Sequence, residues 1–181
     1  VTAEFDSEFD RLLDRARELL GENQPGDKAL GEANTSVNQA LSLRPDSVDG
    51  WLVKCQVASA AGDDIAALAA AEMAARRAPM RSETLYWRGA ILGDLGRHRE
   101  ALRAIEAALR ALTAEDHWLL EDLYFEKVVL LEALDLHDAA VAACETGLSR
   151  CPGSALLRAA LAPAKREKVR SSLTVLRGGQ G

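Results

Sequence analysis

Residues 82–115 read SETLYWRGAILGDLGRHREALRAIEAALRALTAE, and this stretch decides the fold. Leu85, Leu92 and Leu95 recur at helical spacing, and so do Leu102, Ile105 and Leu109. Leu95-Gly96-Arg97-His98 separates the two runs as a tight turn, so the stretch is a helix pair. Steps of 34 residues outward from it land on the same residue types. Ala33, Ala67 and Ala101 form one column and Ala40, Ala74 and Ala108 another, with Pro45/Pro79 and Gly62/Gly96 beside them. A fixed period of this length marks a stacked array in which each pair buries its apolar face against its neighbours.

The residues that set the period also punctuate the helices. Arg44-Pro45-Asp46-Ser47, Ala78-Pro79 with Ser82, and Cys151-Pro152-Gly153-Ser154 each stop one helix and cap the next. Ala61-Gly62-Asp63-Asp64 and Leu134-Asp135-Leu136-His137 are tight turns. Helices are expected over 5–22, 28–43, 48–61, 64–77, 82–95, 98–111, 116–134 and 137–150, with one or two more in 154–176. Pro163 either kinks one long helix there or starts a second. No segment alternates like a strand.

This pattern resembles the tetratricopeptide repeat (TPR) family. In 82–115, Leu85, Gly89, Leu92, Gly96, Ala101 and Ala108 occupy the family's positions. Residues 48–81 match through Trp51, Cys55, Ala58, Gly62, Ala67, Ala74 and Pro79. Residues 14–47 match through Leu20, Gly21, Ala33, Ala40, Leu41 and Pro45, with Gln24-Pro25-Gly26-Asp27 as a looser turn. Residues 121–154 match through Tyr124, Leu131, Ala140, Leu148 and Pro152. The resemblance implies an all-α, right-handed superhelical stack of antiparallel helix pairs. It would form one domain over 1–177, with about four units, a cap over 154–176 and a flexible end at 178–181. Leu156, Leu157, Leu161, Val169, Leu173 and Leu176 are candidates to cover the open end. Two departures stand out: about five residues are inserted near Thr113 to Leu120, and Gly147 replaces the usual alanine of the fourth unit.

Composition narrows the class. The chain has 181 residues, a net charge of -6 and only 4% aromatics. Arg outnumbers Lys 17 to 5, which with the Ala content leans toward a GC-rich bacterial genome. Cys55, Cys144 and Cys151 lack paired spacing and read as small reduced residues. No run is long enough for a membrane span. Val1 to Asp10 shows no signal peptide, which sets a cytoplasmic expectation, although a trimmed leader would leave no trace. Residues 163–181 carry Lys165, Arg166, Lys168, Arg170 and Arg177 against Glu167 alone. That cluster reads as a solvated outer face suited to a helix C-terminus. Nucleic-acid binding through it is disfavoured by the overall acidity.

No catalytic constellation is present. Walker, dinucleotide, CxxC and HExxH patterns are all missing, so no cofactor and no metal is expected. Gly89, Gly93 and Gly96 read as close packing. His117 and Glu121 lie one helical turn apart, but two ligands read as a surface pair. His98 and His137 share one turn position in two units.

A surface remains. In the TPR family the first helix of each unit lines a concave face that often binds peptides or helices. The matching places here are Leu52, Gln56, Tyr86, Ala90, Phe125 and Val129. Around them fall Asp49, Glu83, Asp94, Asp122 and Glu132, and toward the N-terminus Glu18 and Glu22. The resemblance thus implies a non-enzymatic interaction module whose partner carries Lys or Arg beside apolar residues. Tyr86 and Phe125 packing between units as core is the competing reading, and the acids read alternatively as solubilising charge. Trp51 reads as core; Trp87 stays open. The acidic, apolar lining disfavours the acidic chaperone tails that one TPR subset holds. Lys54, Arg88 and Lys127 share a column that borders the helix pair rather than the groove. The alternative function is a structural or self-assembling subunit of a bacterial secretion, pilus or motility complex, joined through the insert and the basic C-terminal helix. Monomer and homo-oligomer both stay open.

Overall fold

Each expected break ends a helix in the computed structural model, which describes the backbone of residues 2–21 and 25–178 and the side chains of 7–21 and 25–170. In order these are α1 (Thr2–Leu20), α2 (Asp27–Leu43), α3 (Val48–Ala60), α4 (Asp64–Arg77), α5 (Ser82–Asp94), α6 (His98–Ala111), a 3-10 turn (His117–Leu119), α7 (Leu120–Ala133), α8 (His137–Arg150) and α9 (Ala155–Gly178). No strand occurs among the described residues.

One turn geometry repeats three times. Gly62 and Gly96 have φ of 73° and 72°, and Asp135 takes the same left-handed place at 58°. In each turn two amides reach back into the first helix. Asp63 N bonds Ala58 O and Gly62 N bonds Ser59 O, both at 2.9 Å. Arg97 N and Gly96 N bond Leu92 O and Gly93 O, and Leu136 N and Asp135 N bond Leu131 O and Glu132 O, in the same pattern. This paired capping satisfies the last carbonyls and reverses the chain within three residues. Gly96 is therefore the turn glycine of Leu95-Gly96-Arg97-His98, with open space around its Cα, and of its two sequence readings the close-packing one does not hold.

The even helices begin on His98 and His137 at equivalent places, as their shared register predicted. Side-chain caps start other helices: Ser47 Oγ accepts from Gly50 N at 3.0 Å, Asp63 Oδ1 from Ala66 N at 3.0 Å, and Ser154 Oγ from Leu157 N at 2.9 Å. Ser82 does not cap. It is the first residue of α5, and its buried hydroxyl donates to Ala108 O at 3.0 Å, tying the start of α5 to the end of α6.

Packing follows the two small-residue columns. Ala33, Ala67, Ala101 and Ala140, and Ala40, Ala74 and Ala108, are all 0% exposed. α1 packs on α2, α3 on α4, α5 on α6 and α7 on α8. The odd helices also touch in succession, α1 to α3, α3 to α5, α5 to α7 and α7 to α9, while the even helices make no comparable contacts. A stack whose odd helices crowd together must curve with them on the inside. α9 packs on both α7 and α8, so it stands where the first helix of a fifth unit would stand. Leu157 and Ala164, almost wholly buried, seal that end. Leu173 and Leu176 lie outside the residues whose side chains are described, and 179–181 lie outside the described residues altogether.

Three boundaries differ from expectation. α1 begins at Thr2, and six residues separate α1 from α2, so the first unit starts well before residue 14. α7 starts at Leu120 rather than 116, and the insertion lengthens the approach to the helix instead of the helix itself: Thr113 Oγ1 bonds Asp116 Oδ2 at 2.9 Å and the chain makes a 3-10 turn before Leu120. α9 runs through Pro163 as one helix that includes Gly178. Pro163 sits at an exposed position, where water can take up the carbonyl that loses its donor.

Gly147 shows what the small columns do. A Cβ there would lie 2.8 Å from Leu157 Cδ1 and 3.0 Å from Tyr124 Cβ, whereas one on Gly31 of α2 would meet nothing within 4 Å. Gly147→Ala should therefore destabilise the fold by about 1–3 kcal/mol through overpacking, although alanine is the usual residue of that column. Gly31→Ala should stabilise it by about 0.5–1 kcal/mol through helix propensity. Urea denaturation of both variants checks the opposite signs.

Candidate functional site

The inner surface is made by one face of each odd helix. On α5, Tyr86, Ala90 and Asp94 follow at steps of four. On α7, Asp122, Phe125, Glu126 and Val129 occupy one face, and α5 and α7 are in contact. Tyr86, Ala90 and Phe125 are half-buried, and Val129 is 44% exposed. Tyr86 leans on the cluster of Leu85, Leu92, Ile105 and Leu123, and Phe125 on Leu120, Tyr124 and Leu157. Both aromatics therefore belong partly to the core and keep part of the ring at the surface. Trp87, left open by the sequence, meets Tyr86 edge-on at 5.4 Å between ring centroids. It packs toward Cys55, Ala58 and Ile91, and its buried Nε1 has no hydrogen-bond partner among the described residues.

Other expected lining residues behave differently. Leu52 is 2% exposed and supports the surface from beneath. Gln56 is half-buried on α3. Trp51 is half-buried against the first core cluster, with Nε1 donating to Pro45 O at 2.8 Å and the Arg77 guanidinium over its ring. Glu18 lies 3.6 Å from Arg15, and Glu22 lies outside the described residues.

The acids divide into two sets. Arg81 holds Asp49 at 2.7 Å and Glu83 at 2.6 Å, so both are neutralised within the stack. Glu132 sits 3.0 Å from His137 Nδ1. Asp94, Asp122 and Glu126 have no hydrogen bond or ion pair among the described residues. Burial raises the pKa of Glu126, and the negative charges of Asp94 and Asp122 raise it further. Asp94 is raised by burial and by Asp64, and Asp122 by burial and by Glu121. Tyr86 is also pushed up, by burial first and then by Asp122, Glu126 and Asp94. Tyr86 and these three carboxylates thus share one electrostatic neighbourhood. Glu126 is absent from the residues that the family resemblance placed on this face. The i to i+4 relation to Asp122 was the signal that could have found it.

Cations elsewhere are already used. Lys127 bonds Glu106 of α6 at 2.8 Å, and Lys54 bonds Asn34 and Asn38 of α2 at 2.5 and 2.8 Å. Both fasten an odd helix to the preceding even helix, away from the inner surface. On α9, Lys165 pairs with Glu145 at 3.1 Å and Lys168 with Asp138 at 2.7 Å, so these bases fix the cap to α8. His117 belongs to the 3-10 turn, and Glu121 accepts from Ser154 Oγ at 2.5 Å, so the two do not form a helical pair. Among the described residues, no group of three or more His, Cys, Asp and Glu is placed to hold a metal ion. Burial pushes the Cys55 thiol up to about 12, far from a reactive thiolate. No helix among the described residues is long and apolar enough to cross a membrane.

No protein-family model matches the sequence, and no curated protein matches it. Solved structures share its fold. The crystal structure of the MamA protein superposes with a TM-score of 0.71 at 16% identity, covering 94% of this chain and 87% of that one. PilF of Pseudomonas aeruginosa gives 0.76 at 16% identity, over 98% of this chain and 79% of that one. TTC0263, a thermophilic TPR protein of Thermus thermophilus, gives 0.65 at 19% identity, over 86% and 90%. The chain therefore has a TPR-like, all-α fold.

The raised carboxylates carry a stability consequence with a definite sign. A folded-state pKa above the unfolded value means that the folded protein binds more protons, so stability is gained as pH falls and lost as pH rises through the folded-state pKa. Above its folded-state pKa, Glu126 is ionised at a cost. Glu126→Gln should raise the melting temperature by about 1–3 °C at pH 7. The gain should shrink toward about pH 4, where the wild-type carboxyl is itself neutral. Calorimetric melts at the two pH values check this; a lower melting temperature at pH 7 would mean that Glu126 supports the fold.

Proposed function

We propose that the protein is a non-catalytic scaffold subunit of a bacterial multiprotein assembly, holding a partner protein on its concave face. The observation that carries this reading is the unevenness of the polar bonding. Arg81, Lys54, Lys127, Lys165, Lys168, Ser82 and Ser154 all fasten helix to helix. On the inner face of α5 and α7, half-exposed aromatic and aliphatic groups instead lie beside carboxylates that bond to nothing in the described stack. Buried aromatic anchors beside polar groups are the usual anatomy of a protein-binding surface. The stacked units leave their repeated inner faces to act together, as helical arrays do. Fold likeness to MamA and PilF along most of each chain supports the scaffold reading.

A second reading has one observation of its own. Trp118, on the insertion between α6 and α7, is 62% exposed. An aromatic so placed would suit a subunit that joins a larger complex through this edge.

A photo-crosslinking amino acid at Val129, Trp118 or Ile65 separates the readings in living cells; Ile65, on α4, is 77% exposed and serves as control. Position 129 should give a discrete adduct with a different protein, at least about fivefold stronger than position 65. Adducts confined to position 118 would move the contact to the insertion edge. An adduct of twice the chain mass at 129 would make the protein a self-assembling subunit.

A further inference from the structure

The inner strip between α5 and α7 is both apolar and negatively charged, and its chemistry narrows the partner. Asp94 ends the face of α5 that begins with Tyr86, and Asp122 and Glu126 lie one turn apart on the face of α7 that carries Phe125 and Val129. Three carboxylates on contacting helices, none paired with a cation among the described residues, leave a local negative field. Two nearby cations are committed elsewhere: Arg81 to Asp49 and Glu83, and Lys127 to Glu106.

We propose that this strip seats a segment of a partner protein that presents a lysine or arginine beside an apolar side chain, the cation lying among Asp94, Asp122 and Glu126 and the apolar group resting on Phe125 and Val129. The inference rests on the scaffold reading above and names the chemistry of what the scaffold holds. A cation there would relieve the repulsion that Asp94 and Asp122 exert on Glu126 and would be drawn in by the same field during encounter. The apolar side chain supplies the desolvated contact that holds the segment in place. A second copy of this chain is disfavoured as the occupant. Its net charge of -6 repels another copy, and Lys165 and Lys168 are held on α8 by Glu145 and Asp138.

The test pans a phage-displayed library of random 12-residue peptides against the immobilised full chain. The most enriched peptide is then synthesised with a fluorophore and titrated by anisotropy. Retained peptides should be enriched in Lys or Arg next to Leu, Ile, Val or Phe. Binding should weaken at least about tenfold in Asp122→Asn/Glu126→Gln. It should change by less than about twofold in Asp10→Asn/Glu115→Gln, which alters net charge equally at exposed sites away from the strip. Both double variants exchange carboxylates for isosteric amides, and circular dichroism verifies that each is folded. Enrichment without basic residues, or equal loss in both variants, overturns the proposal. Binding abolished by Val129→Asp but untouched by Asp122→Asn/Glu126→Gln also overturns it, while leaving the concave-face reading standing. Sedimentation of the peptide-free chain closes the remaining route: self-association lost in Asp122→Asn/Glu126→Gln would make a second copy the occupant and would overturn the assignment to a partner protein.

Discussion

Everything in this stack depends on how closely the helices of a unit approach, and the limit is a single Cβ. At Ala33, Ala67, Ala101 and Ala140 the methyl group is wholly enclosed, and at Gly89 and Gly147 even a methyl is too much. An ideal Cβ on Gly89 would sit 2.7 Å from Ile105 Cδ1, so α5 leaves room there only for the Ile105 side chain of α6. Close approach maximises dispersion contact between small side chains, which is how a chain with few aromatics still fills its interior. The same approach fixes the angle at which one pair meets the next. Because every pair repeats it, the odd helices end up side by side, and their inner faces merge into one surface.

That constraint explains what was legible in the sequence. A small residue required every 34 positions is a strict condition, and so is a left-handed residue at each tight turn. Both show as columns, and apart from the starts of α1 and α7 the helix boundaries fall within a residue or two of expectation. Asp135 is the exception that tests the logic: it takes the left-handed place without being glycine, which Asp tolerates better than most residues. Less legible was whatever lacked a strict steric condition. The start of α1 had no column to fix it, because six residues between α1 and α2 remove the tight turn. Continuation of α9 through Pro163 depended on solvent exposure at one carbonyl, which spacing does not encode.

The surface was read less completely than the fold, and the reason is electrostatic. Family positions placed Asp49, Glu83, Asp94, Asp122 and Glu132 around the face as though they were alike. Sequence spacing cannot show that Arg81, which fills the place of a capping serine before α5, reaches both Asp49 and Glu83. Nor can it show that His137 comes back across its turn to Glu132. The charge that remains is concentrated at Asp94, Asp122 and Glu126, a smaller and better defined patch than an evenly acidic rim. Leu52 fails as a lining residue because it is almost wholly buried, which its place in the repeat does not reveal.

The insertion before α7 acquires a meaning from the same geometry. Extra residues at a unit boundary would be expected to loosen the stack, because each unit is held only by its neighbours. Here they do the reverse. Leu119, at the end of the 3-10 turn, is fully buried with Leu85, Ile105 and Leu123, and Leu120 is fully buried with Tyr124 and Leu157. Two consecutive leucines thus tie the third unit, the fourth unit and the cap into one seam. The inner strip spans that seam, with Tyr86 and Asp94 on one side and Asp122, Phe125 and Glu126 on the other. Its repelling carboxylates push the two helices apart while the leucine plug holds them together. The negative field of the strip is therefore carried on two helices that the buried Leu119 and Leu120 tie together.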